Sequence, residues 1–185
     1  MAVLKTPVCE FGKPAPDFRL LGVDGKYYSL ADCWQQKGIV VMFICNHCPY
    51  VKAILPRLVE DTQTLLDAGI GCVAISSNND KDHPEDSYKN MQRIAQTMQF
   101  PFPYLIDETQ KVAKAFGAVC TPDFFGYNAN LKLQYRGRLD ESGREPAPAG
   151  AKRELVEAMK LIASTGKGPI DQKFSQGCSI KWKAQ

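Results

Sequence analysis

The chain has 185 residues, 44% of them hydrophobic and 23% charged, the make-up of an ordinary globular domain. Its formal net charge of +3 is small, and its lysines are spread along the chain, so it lacks the concentrated basic footprint of a nucleic-acid partner. No run approaches the roughly 18 apolar residues of a membrane span. The start, Met1 to Cys9, has no basic segment followed by a long apolar run, so no signal peptide is read and no membrane partner is expected. A cytoplasmic or similarly reducing compartment is the default expectation. The length suits one domain over 1–185, with 165–185 as a C-terminal tail, and buries a core without disulfide staples.

Pro14 and Pro16 keep residues 13–17 out of any regular element. Phe18 to Leu21 reads as a strand, Asp24-Gly25 as a hairpin turn and Tyr27 to Leu30 as the return strand. Ile39 to Ile44 is an unbroken apolar run, which suits a central strand covered on both faces. Residues 49–68 place Val51, Ile54, Leu55, Leu58, Val59, Leu65 and Leu66 at helical spacing. Pro49 fits the first helical position, and Pro56 is expected to kink the helix. A second buried strand is expected at Gly71 to Ser76, a helix at Pro84 to Met98, a third strand at Pro103 to Ile106 and a helix at Glu108 to Phe116, stopped by Gly117. Phe124 to Asn128 and Leu131 to Tyr135 form a hairpin about Asn128-Ala129-Asn130, and Ala151 to Ala163 is the last helix. Residues 141–150 read as a surface loop and Lys181 with Lys183 as a solvated tail end. Strands alternating with helices imply an α/β domain, a mixed sheet with helices on both faces.

Seven cysteines stand at positions 9, 33, 45, 48, 72, 120 and 178. An odd, irregularly spaced set without a secretion signal argues against a structural disulfide framework and for thiol chemistry. Cys45-Asn46-His47-Cys48 lies where the first buried strand passes into the helix opened by Pro49. Helix N-termini carry unsatisfied N–H groups and partial positive charge, so a thiolate there is stabilised. The C-x-x-C spacing lets two sulfurs on one turn form a reducible disulfide. His47 within the motif is expected to donate to a thiolate and, when protonated, to add charge beside it. A zinc site needs two further ligands from His47, His83, Cys120 or Cys178; no metal is expected, nor any other cofactor.

The segments GKPAPDFRLLGVDGKYYSL at 12–30, VVMFICNHCPYVKA at 40–53, YLIDETQKVAKAFGAVCTPDFF at 104–125 and LQYRGRLD at 133–140 resemble the redoxin branch of the thioredoxin superfamily, the alkyl hydroperoxide reductase/thiol-specific antioxidant group. NHCPYV, CTPDFF and the tail GCSIKWK resemble a peroxiredoxin-like subfamily within it. The resemblance implies a thioredoxin-like fold: a central mixed β-sheet flanked by helices, with an N-terminal β-hairpin and a C-terminal tail. It also implies that Thr121-Pro122 carries a cis peptide facing Cys45 and Cys48.

The same resemblance implies two readings of the motif. In the thioredoxin reading, Cys45 attacks a disulfide and Cys48 resolves it. In the peroxiredoxin reading, Cys48 takes the peroxidatic place of a Pro-x-x-x-Thr-x-x-Cys pattern, but Val41 and Cys45 stand where its Pro and Thr would be. The expected function is a thiol-disulfide oxidoreductase or antioxidant protein with Cys45 and Cys48 catalytic and Asn46, His47, Thr121 and Pro122 supporting. The enzymatic alternative is a hydroperoxide reductase using Cys48. The other is a metal-binding redoxin, a copper or zinc chaperone, against which the C-x-x-C rather than C-x-x-x-C spacing argues. Expected partners are an external dithiol electron donor and a protein disulfide or hydroperoxide, the chain being a monomer or homodimer. Cys120 and Cys178 are candidate additional redox thiols; the plain alternatives are a buried small hydrophobe and a tail anchor. Cys72 reads as core, Arg136 and Arg138 as a solvated strand end or as activators of a thiol, and His83 to Asp86 as a helix start.

Overall fold

The computed structural model describes residues 2–184. Its elements in chain order are β1 (Val3–Lys5), β2 (Arg19–Gly22), β3 (Tyr27–Ser29), α1 (Leu30–Cys33), β4 (Ile39–Phe43), α2 (Pro49–Asp67), β5 (Gly71–Ser76), α3 (Tyr88–Thr97), β6 (Tyr104–Ile106), α4 (Lys111–Phe116), β7 (Cys120–Thr121), β8 (Asp123–Tyr127), β9 (Leu133–Gly137), α5 (Glu154–Thr165) and β10 (Gln176–Ser179). Seven strands form one mixed sheet in the order β3-β2-β6-β5-β4-β8-β9. Within it β4, β5 and β6 run parallel, and the flanking pairs are antiparallel.

The apolar run at Ile39 is the middle of this sheet, and every residue of β4 is buried. Alternation along the strand splits it between two cores. Val40, Met42 and Ile44 pack with Leu58, Leu65, Met159 and Ile162 of α2 and α5. Ile39, Val41 and Phe43 pack on the other face with Phe18, Phe116 and Phe125. The helices thus cover both faces, as the alternating pattern requires, and the fold is thioredoxin-like.

Several boundaries differ from expectation for local reasons. Strand β3 stops at Ser29 because Ser29 and Asp32 form a reciprocal capping box that starts α1. Helix α2 ends at Asp67, one residue before the expected end, with Pro56 inside it. The helix expected from Pro84 divides into a 3-10 turn, Pro84–Asp86, and α3, because Ser87 is extended at ψ 152°. The helix expected from Glu108 begins at Lys111, where Gln110 adopts φ 62° and the Asp107 carboxylate accepts from the Ala113 amide.

The tail is the largest difference. Strand β10 joins β1 and β7 in a second, three-stranded antiparallel sheet. Lys181 is not merely solvated: its carbonyl accepts from Asn79 N and Gln110 Nε2, and its ammonium donates to Ser179 O. Lys183 N donates to Gln110 Oε1 and its ammonium to Glu108 O. These bonds tie the chain end to the segments that follow β5 and β6.

Candidate active site

Strand β4 delivers Cys45 just past its end, and Cys48 is the N-cap of α2 with Pro49 at the first helical position. Both cysteines are buried. From the far side comes the β7–β8 junction, where Thr121-Pro122 is a cis peptide. Thr121 meets both sulfurs: its Oγ1 lies 3.2 Å from Cys45 Sγ, and its carbonyl accepts from the Cys48 thiol at 3.2 Å. The antiparallel register of β10 on β7 sets Cys178 opposite Thr121, and Cys178 Sγ lies 3.0 Å from Cys48 Sγ. Cys120, one residue earlier, turns its thiol to the Pro122 carbonyl at 3.7 Å rather than to the motif, and burial pushes its pKa up. Cys72 is a buried core thiol, its pKa raised by burial alone.

The residues between the cysteines are held by an acid whose sequence position, two residues after Pro84, is that of a helix start. Asp86 is buried under the motif. Its carboxylate accepts from Asn46 N (2.7 Å), His47 N (3.1 Å), His47 Nδ1 (2.5 Å) and Asn78 Nδ2 (2.8 Å). Asn46 is fixed further by donating to Glu85 O and accepting from the Tyr104 hydroxyl. A carboxylate only accepts, so the His47 proton sits on Nδ1 and is given to Asp86. Cys45 Sγ is 3.9 Å from that nitrogen, so the expected donation from His47 to a thiolate goes to Asp86 instead. The His47 ring stacks on His83 at 4.6 Å, and its Nε2 is buried without a hydrogen-bond partner among the described residues. Among the described residues, Cys45, His47 and Asp86 are the one group of donor atoms close enough to share a metal ion; all three are already bonded to one another or to Thr121.

The Arg136 and Arg138 side chains are not turned to the motif thiols. Arg136 is buried and donates to both Asp123 oxygens and to Gly117 O, with its guanidinium 4.5 Å over the Phe125 ring. Arg138 forms a two-pronged pair with Glu154. Both side chains are held by acids, 13 and 16 residues away in sequence.

The two motif thiols titrate as a pair. The Cys48 pKa is pulled down to about 4, first by the hydrogen bond from Cys45, then by the Cys178 thiol and the backbone N–H groups of Val51 and Cys178. The Cys45 pKa is raised, by that same hydrogen bond, by burial and by the Asp86 carboxylate. Ionisation of Cys48 gives up its bond to the Thr121 carbonyl, but two thiols and the N–H groups of Val51 and Cys178 outweigh one carbonyl. The direction of both shifts favours charge on Cys48 over charge on Cys45. Thiolate absorbance of the reduced protein is expected to fall away with a midpoint near pH 4, where the Cys48 pKa is set, and Cys178→Ala is expected to move that midpoint upward. The folded pKa lies below the ordinary 9.0, so Cys48 adds stability that is full above pH 9.0 and is lost as the pH falls towards 4.

Asp86→Asn provides a separate check. It removes a charged acceptor shared by three donors of the motif loop and is expected to cost about 1–3 kcal/mol in urea unfolding. Because the Asp86 charge opposes ionisation of Cys45, the second thiol titration moves down in the same variant.

At Pro122 opens a cleft of about 250 Å³ lined by Tyr50, Ile54, Pro122, Arg144, Ser175 and Gln176. It is bounded by the same Pro122 that faces the motif and by the strand that carries Cys178.

A solved protein of Geobacillus kaustophilus, described as an uncharacterized conserved protein, is 42% identical and superimposes with a TM-score of 0.94, covering 100% of this chain and 98% of that one. A thiol:disulfide interchange protein of the thioredoxin family from Chlorobium tepidum shares the fold at 24% identity and a TM-score of 0.57, over 68% of this chain and 84% of that one. The thiol-disulfide oxidoreductase ResA of Geobacillus thermodenitrificans is 25% identical over 123 residues, 66% of each chain; the match thus spans just under two thirds of that relative's length. The AhpC/TSA family model matches residues 11–140, which takes in the motif, Asp86 and the Thr121-Pro122 junction, and the chain belongs to the AhpC/TSA family.

Proposed function

We propose that the protein is a thiol-disulfide oxidoreductase in which Cys48 attacks a disulfide of a polypeptide substrate and Cys45 resolves the mixed disulfide. One observation carries this reading: Cys48 is the N-cap of α2, with the Cys178 sulfur 3.0 Å from its own and its pKa lowered by the neighbouring Cys45 and Cys178 thiols. The thiolate of Cys48 displaces one substrate sulfur, which leaves as a thiolate. The Cys45 sulfur then attacks Cys48, a Cys45–Cys48 disulfide forms, and the Cys45 proton passes to the second departing substrate sulfur. An external dithiol reduces the protein again. Thr121 helps the second step, its hydroxyl donating to the Cys45 sulfur as charge develops there.

In this reading Cys48, rather than Cys45, strikes first. The ResA relative, named for thiol-disulfide exchange, supports disulfide over peroxide as the substrate. So does the engagement of Arg136 and Arg138 with Asp123 and Glu154, which leaves neither to orient a peroxide. A side-by-side assay with a protein disulfide and with a hydroperoxide, under one dithiol donor, tests the reading. Faster turnover of the disulfide is expected; hydroperoxide turnover that survives without any disulfide reduction would overturn it.

A further inference from the structure

We propose that Cys178 is a second resolving thiol for Cys48, so that the oxidised protein exchanges between a Cys45–Cys48 and a Cys48–Cys178 disulfide. The proposal rests on Cys48 being the attacking sulfur. Three independent features place Cys178 for this. Its sulfur is 3.0 Å from Cys48 Sγ. The β10–β7 register fixes it opposite Thr121, the residue that contacts both motif sulfurs. Gly177 permits the approach, since a Cβ there would stand 1.9 Å from the Thr121 carbonyl oxygen and 3.0 Å from Pro122 N.

The strand is also anchored on both sides of the cysteine. Ser175 Oγ donates to Pro122 O, Gln176 Nε2 donates to the Tyr50 hydroxyl, and Ile180 N donates to Val119 O. At rest, burial and the hydrogen bond to Cys48 hold the Cys178 pKa up, at about 12. The part due to Cys48 disappears once that sulfur is tied up in a disulfide, so Cys178 becomes a better nucleophile when one is needed.

The chemistry balances without a further oxidant. From the substrate-bound state, the Cys178 sulfur attacks Cys48. The Cys48–substrate bond breaks, the Cys48–Cys178 bond forms, and the Cys178 proton goes to the departing substrate thiolate. From the Cys45–Cys48 disulfide, the same attack is an isomerisation in which one S–S bond replaces another and the proton moves from Cys178 to Cys45. Cys45 is then freed as a thiol while the protein stays oxidised.

Peptide mapping tests this in the full chain. The reduced protein is treated with oxidised glutathione, quenched in acid, capped with N-ethylmaleimide and digested with trypsin without reductant. Cys45 and Cys48 fall in the tryptic segment 38–52 and Cys178 in segment 174–181, so a link between the two segments reports Cys178 directly. The expected result is that wild type yields both the internal disulfide of 38–52 and the linked pair. Cys45→Ser is expected to yield the linked pair and lose its glutathione, and Cys178→Ser only the internal disulfide. Cys45→Ser with Cys178→Ser is expected to keep one glutathione on Cys48. Gly177→Ala, which pushes β10 away, is expected to lose the linked pair and keep the internal disulfide. If Cys178 is capped in every sample while the internal disulfide forms normally, the second resolving thiol is overturned and the oxidoreductase reading stands. If the double variant takes up no glutathione and Cys48→Ser takes it up on Cys45, the choice of Cys48 as attacker falls, and this proposal with it.

Discussion

Replacing Cys48 with serine is expected to lower protein-disulfide reduction by roughly a thousandfold or more, and replacing Cys45 to lower it far less. The reason is the asymmetry of the pair. A serine hydroxyl stays protonated at any working pH, so Cys48→Ser removes the group on which charge is favoured. Cys45→Ser leaves that charge in place with the Cys178 thiol beside it, so the first attack proceeds and only one route of resolution is lost. The first phase of a stopped-flow reaction with a disulfide probe separates the two, because it reads attack before resolution. A first phase that vanishes in Cys45→Ser and persists in Cys48→Ser would reverse the assignment. Asn46, His47 and Asp86 enter as positioning residues: Asp86 accepts from both backbone amides between the cysteines and so fixes the loop on which the sulfurs approach each other.

What the sequence disclosed follows from which interactions are local. The apolar run of β4 and the period of α2 are local patterns, and both elements lie where those patterns put them. The motif at their junction, and the Thr121-Pro122 pair that faces it, were legible for the same reason together with the family resemblance. Asp86 was not. Two residues after Pro84 it looks like an acid at a helix start, and nothing local signals that the chain turns at Ser87 and sends the carboxylate inward to amides 39 and 40 residues away. Strand β10 was illegible for a related reason. Gln176 to Ser179 has neither alternation nor a helical period, and its strand character comes from pairing with β1 and β7, two short segments far off in sequence. The sulfur of Cys178 reaches Cys48 only through that pairing.

Arg136→Met is expected to be the most destabilising of the substitutions considered, by about 3–5 kcal/mol at neutral pH. Asp123 is fully buried and Arg136 nearly so, and the pair is completed by Gly117 O and the Phe125 face. Removing the guanidinium leaves a buried carboxylate without its partner. Burial already raises the Asp123 pKa from 3.8 to about 6, against the pull of Arg136, and without the arginine it rises further. A raised folded-state pKa contributes stability that is fully present below the unfolded value of 3.8 and is lost as the pH rises through about 6. The variant accordingly loses less at acid pH, where Asp123 is protonated and neutral, and more as the pH increases. Urea unfolding of both proteins at pH 5 and pH 8 is expected to show the gap widening with pH; a constant gap would assign the loss to packing on Phe125. Adding Asp123→Asn to Arg136→Met is expected to recover part of the loss and to flatten the pH dependence, since no buried charge then remains. The effect reaches the thiols as well. Asp123 follows Pro122 directly and its carboxylate accepts from Val119 N, so the ion pair holds both ends of the segment that carries Thr121. An unpaired Asp123 loosens the backbone against which Cys45 and Cys48 are set, and thiol reactivity is expected to change along with stability.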